Sequence, residues 1–134
     1  MTKSPKINSW IISDGTIGME NQSLAVAKLL GSNFELINYK PNYLLRKIPI
    51  IGKFFFTSQI IRKLKQKPLP TFVITTGRRM IGVSIAIKSY FKNEIKTIHV
   101  QNPKISSKYF DLLLIPEHDK ITGKNIIQTK GQNI

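Results

Sequence analysis

Apolar residues fall in short, evenly separated runs along the chain. Ile7 to Ile12 is apolar and β-branched and stops at Asp14-Gly15, which predicts a first strand. From Asn21 to Leu30, residues Leu24, Ala27, Lys28 and Leu30 fall at helical spacing, and Gly31 supplies a stop. Phe34 to Tyr39 alternates as a second strand. Thr71 to Thr75 reads as a short buried strand that Gly77 ends. Met80 to Phe91 follows as a helix, with Ile81, Ser84, Ile85 and Lys88 on one face. Ile95 to Val100, Leu112 to Ile115 and Ile126 to Thr129 complete the strands. Strand, helix and strand in repetition imply an α/β fold with a mainly parallel sheet and helices on both faces. The runs LLLI and FVIT are continuous, as strands buried on both faces require. The 134 residues suit one domain, 1–134.

The segment 41–70 breaks this pattern. Leu44, Leu45, Ile48, Ile50, Ile51, Phe54, Phe55, Phe56, Ile60, Ile61 and Leu64 are interleaved there with Arg and Lys. Two readings fit. A basic amphipathic stretch with clustered Phe suits an interfacial membrane anchor. Arg46, Lys47, Lys53, Phe54, Phe55, Phe56, Arg62, Lys63 and Lys65 would then meet anionic lipid. A crossover between the second and third strands would instead pack its apolar face on the sheet.

Charge strengthens the case for an anionic partner. Lys plus Arg is 21 and Asp plus Glu is 7, a net charge of +14. Between Glu35 and Glu94 the chain has no acidic residue and twelve basic ones. Drift toward A·T-rich codons explains many lysines but not the missing acids. A surface of one sign attracts lipid headgroups, nucleic acid or a phosphorylated substrate. Nucleic acid is the weakest of these, because no helix-turn-helix, zinc-finger or RNA-recognition motif accompanies the charge. Cysteine is absent, which removes disulfides and thiolate chemistry. No metal site is expected. No apolar run approaches the roughly 20 residues of a membrane span, and the start of the chain does not read as a signal peptide.

In a parallel sheet, ligands bind at the carboxyl ends of strands, so four loops become candidates. The first, SDGTIGMENQ, carries Ser13, Asp14, Gly15, Gly18, Asn21 and Gln22. Gly15 and Gly18 would let the backbone turn tightly and approach a ligand, and a helix start there would offer N–H groups to an anion. The spacing is not a dinucleotide fingerprint, and a turn with a helix cap explains the same residues. In TTGRR, Gly77 ends a strand and Arg78 and Arg79 open a helix. Cations there oppose the helix dipole, so they suit an external phosphate or carboxylate, or simply water. In HVQNP, His99 falls inside the strand and reads as packed, while Gln101 and Asn102 could bind a sugar or amide. In PEHD, Glu117, His118 and Asp119 could supply a general base and its orienting carboxylate, or merely cap a helix.

The order of WIISDGTIGMENQSLAVAKLL, VITTGRRMIGVSIAIK and HVQNPKISSKYFDLLLIPEHD resembles the mitochondrial-fission-type family. That family is known from plants, where a member acts at the mitochondrial surface. It is widespread in bacteria, where members often bear the label nucleoside-diphosphate-sugar epimerase. The resemblance runs from Trp10 to about Gly131 and includes Pro103 and Pro116 among its motif positions. One departure is Lys104, where members tend to have Arg. Members look similar to glycosyltransferases of the two-domain GT-B type. The resemblance therefore implies a Rossmann-like three-layer domain equivalent to the N-terminal half of a GT-B fold. The second domain, which would hold a nucleotide-sugar, is expected to be absent from 1–134, so no cofactor is expected in this chain. The implied function is the acceptor side of a glycosyltransferase-like protein at the cytoplasmic membrane face, inactive alone. Asp14 or His118 would be the base, and the acceptor would be lipid-linked or phosphorylated. A separate C-terminal-half polypeptide would be a partner. A non-catalytic membrane adaptor and the remnant of a split gene are the alternatives.

Overall fold

The computed structural model describes residues 7–40, 60–116 and 122–129. Six strands form one sheet in the order β2-β1-β3-β4-β5-β6, and every neighbouring pair is parallel. The strands are β1 (Asn8–Ser13), β2 (Asn33–Asn38), β3 (Phe72–Thr76), β4 (Lys96–Val100), β5 (Leu112–Pro116) and β6 (Ile126–Thr129). Two helices follow strands directly: α1 (Ile17–Leu29) after β1 and α2 (Ile81–Phe91) after β3.

The alternation of β1 divides the core between two layers. Trp10 and Ile12 join Val73, Val83, Ala86, Ile87 and Phe91 on the α2 side. Ile11 joins Ile74, Ile98, Val26 and Ala27 on the α1 side. Register keeps these sets aligned, with Trp10 beside Val73 and Ile11 beside Ile74. Helices on both faces of a parallel sheet make this a Rossmann-like three-layer α/β domain.

The helix ends follow local chemistry. Gly31, at φ 64, closes α1: its amide donates to Lys28 O at 3.0 Å, and that of Ser32 to Ala27 O at 2.9 Å. These two bonds form a Schellman stop, as the sequence leads one to expect. The helix begins at Ile17, four residues before the amphipathic signal at Asn21. Ile17 is 74% exposed, so the first turn carries no apolar stripe to announce it. α2 also departs from expectation. It is buried all round from Ile81 to Ile87 rather than on one face. Its outer side is covered by Ile60, Ile61 and Leu64 and, further along, by Phe110.

The described end of the 41–70 region is helical at 60–64. Ile60, Ile61 and Leu64 are buried in the α2-side core, and Arg62, Lys63 and Lys65 are exposed. The crossover reading therefore holds for these apolar residues. Arg46, Lys47, Lys53, Phe54, Phe55 and Phe56 lie outside the described residues. Among those described, no helix is long and apolar enough to cross a membrane.

Candidate functional site

The strand order defines one crevice. From β1 the chain moves outward to β2, then returns past β1 to β3 and continues in one direction. The helices leaving β1 and β3 thus lie on opposite faces, and the loops that follow these two neighbouring strands part between them. This switch point is where open α/β sheets bind ligands.

The β1 loop is built on three side-chain contacts. Ser13 Oγ donates to Glu20 Oε2 at 2.6 Å and accepts from the Gly15 amide at 3.0 Å. Asp14 Oδ1 accepts from the Thr16 amide at 3.0 Å. Gly15 makes the turn at φ 94. Thr16 caps α1 in an extended conformation without a side-chain hydrogen bond. Gly18 does not share the turning role: it stands inside the first helical turn, with open space above it.

The β3 loop is pinned to α1 from below. The hydroxyls of Thr76 and Ser23 lie 2.6 Å apart, both buried. Gly77 turns at φ 90, and a Cβ there would stand 2.9 Å from Met19 Sδ. The dihedral calls for glycine, and a Cβ would also force the Met19 side chain to shift. Arg78 and Arg79 follow in a 3-10 turn that leads into α2, and both are exposed. Arg79 reaches across the crevice to Asp14 Oδ2 at 3.7 Å. Burial alone would raise the Asp14 carboxyl, but the Thr16 hydrogen bonds and the Arg79 charge outweigh it and hold it below the ordinary value. Asp14 is thus a weak proton acceptor at neutral pH.

β4 contributes Gln101, whose amide donates to Leu114 O at 2.8 Å. Its side-chain Nε2 lies 3.3 Å from Gln22 Oε1 and 3.4 Å from Met19 Sδ. Asn102 is committed elsewhere: its Oδ1 accepts from the Lys104 amide at 2.9 Å. His99 is packed, as its place in the strand predicts. It is fully buried, 2.7 Å from the Thr75 hydroxyl and 5.2 Å from the Phe110 ring. Burial pushes its imidazole down to about 3, outweighing the nearby Gly77 backbone, so the ring is neutral.

Asp14, Thr16, Met19, Thr76, Gly77, Arg78, Arg79 and Gln101 enclose a cleft of about 310 Å³. Tertiary structure therefore gathers Asp14, Gly77, Arg78, Arg79 and Gln101 into one place. Ser13 and Gln22 act one step behind them, and Gly15 shapes the loop. Gly18 and Asn21 are exposed on α1 and do not line the cleft. Glu117, His118 and Asp119 lie outside the described residues. Sequence reasoning missed Thr16, Met19, Glu20, Ser23 and Thr76. Thr76, beside TTG, was within reach of a pattern; Met19 and Ser23 carried no signal of their own. Among the described residues, no cluster of three or more His, Cys, Asp or Glu could hold a metal.

Fold and cleft together define a Rossmann-like domain with an open cleft at the carboxyl ends of its first and third strands. The chain belongs to the mitochondrial fission ELM1 family, whose model matches residues 17–133. It is 31% identical to an uncharacterized protein, RP120, of Rickettsia prowazekii (strain Madrid E), over 90% of this chain. The match spans 37% of that relative's length. No solved structure matches the chain.

Proposed function

We propose that this chain forms the acceptor-side half of a glycosyltransferase-like active site and binds a phosphate-bearing ligand in the crevice. The observation that carries this reading is the cleft at the switch point, where two exposed arginines stand at its rim beside the held-down Asp14. Guanidinium groups match phosphate in geometry and charge. Arg79 is 62% exposed in its side chain and only loosely paired with Asp14, so it is free to turn toward an incoming anion. Asp14 would orient an acceptor hydroxyl, and the base would come from the PEHD loop. The nucleotide-sugar donor would be held by residues beyond the 37% of the relative that this chain matches. Exposed Arg62, Lys63 and Lys65 would bring the domain to an anionic membrane face.

Titration of the full chain with inorganic phosphate, followed by NMR shifts, tests the cleft. Binding should move the amides of Gly15, Gly77 and Gln101. The double change Arg78→Ala with Arg79→Ala should weaken it at least about tenfold, as expected for two charge-assisted contacts. Undiminished binding in that variant would place the anion elsewhere. Turnover of a nucleotide-sugar by the purified chain would overturn the half-site part.

A further inference from the structure

Three non-glycine residues among those described have positive φ. Lys92, at 53°, ends α2, and Lys104, at 60°, sits in a turn whose amide is taken up by Asn102. At ψ −126, Lys92 lies outside the left-handed helical well, at the exposed end of its helix and away from the cleft. Gln101, at φ 87, is the one of the three that lines the cleft, at the end of β4 and in a region that favours glycine. Its backbone cannot relax independently. The Gln101 amide is tied to Leu114 O, and the Gly77 amide is tied to the carbonyl of Val100 at 3.1 Å. A glutamine thus stands where glycine would fit with less strain.

Its side chain accounts for the choice. Gln101 lines the cleft together with the arginines and Asp14. Its contacts there, a long hydrogen bond to Gln22 and one to a thioether sulfur, are readily exchanged for better ones. A neutral group that donates and accepts at once complements a hydroxyl rather than a phosphate.

We infer that Gln101 is the specificity-determining residue of the cleft: it hydrogen-bonds the hydroxyl-bearing, uncharged part of a sugar phosphate. This rests on the reading that Arg78 and Arg79 take the phosphate. Backbone strain is retained because a side chain is needed at this point, and a site built to bond a hydroxyl discriminates against ligands without one.

The test compares glucose 1-phosphate with inorganic phosphate on the full chain and on two variants. Wild type should bind the sugar phosphate more tightly. Gln101→Gly should lower that affinity about three- to tenfold, the worth of one or two hydrogen bonds, and leave inorganic phosphate within about twofold. Its Tm should stay level or rise by up to about 5 °C as strain is relieved. Gln101→Asn, which tolerates positive φ but is shorter, should keep the Tm and lose the preference as well. Equal losses for both ligands, no loss, or a Tm lowered by more than about 5 °C in Gln101→Gly would overturn the role of Gln101. So would a wild type without preference between the two ligands, while leaving the arginine site intact. A wild type that binds neither ligand would overturn both.

Discussion

At the scale of single residues, a few small polar side chains join neighbouring elements by making two contacts each. Ser13 bonds Glu20 and Gly15, and Thr97 and Asp111 bond each other in both directions. Asp111 Oδ2 accepts from the Thr97 amide and from Lys88 Nζ, each at 2.8 Å. Burial would raise its carboxyl, but Lys88 and the Thr97 amide outweigh that and hold it below the ordinary value. A group with a depressed folded value stabilises above its unfolded value and loses that contribution as pH falls through the folded one. Asp111→Asn should therefore cost about 1–3 kcal/mol at pH 7, from charge-assisted hydrogen bonds lost or weakened. The gap from wild type should close below about pH 4, the upper edge of the window set by the ordinary carboxyl value. Urea unfolding at pH 7 and pH 3 checks it; an equal gap at both would show that the ionised form is not what stabilises. Such roles are illegible in sequence. Asp111 looks like any loop aspartate until β4 and β5 are paired.

At the scale of elements, the strands were the most legible part. Trp10 to Ile12 and Leu113 to Ile115 are apolar on both faces because both faces are covered. Helix α2 was misread in its facing, since IGVSIAI offers no polar stripe and the structure buries it on all sides. Its cover comes partly from 60–64, which sequence could assign equally to lipid or to core. Leu64 is fully buried against that helix, so Leu64→Ala should lower stability by about 2–5 kcal/mol, as a core truncation does. Denaturant midpoints measure this. A change under about 0.5 kcal/mol would mean that the turn is not part of the folded core.

At the scale of the whole molecule, the charge of +14 suits an anionic partner, and three exposed cations stand together on one short segment. Arg62, Lys63 and Lys65 project outward from a turn whose apolar residues point inward. On the proposed membrane reading, these cations would draw the domain to anionic lipid. Changing all three to Gln should weaken binding to phosphatidylglycerol-containing vesicles at least about tenfold at low salt, with the difference shrinking as salt rises. Vesicle sedimentation would show it. Unchanged binding, or equal binding to neutral phosphatidylcholine vesicles, would remove the membrane from the account.

By itself the sequence determined the parallel α/β plan, because runs of period and length are local properties of the chain. It also determined the glycine turns at Gly15, Gly31 and Gly77, where dihedral demands select the residue. Motif order was enough to indicate the family. Tertiary structure decided which loops meet. That depends on strand order, and the return of the chain past β1 sets Asp14 opposite Arg79 while leaving Gly18 and Asn21 outside the cleft. It also decided that Arg79 helps hold Asp14 ionised and that His99, readable as packed from its place in the strand, is buried enough to stay neutral. Both depend on burial and on distant partners, which spacing along the chain does not encode.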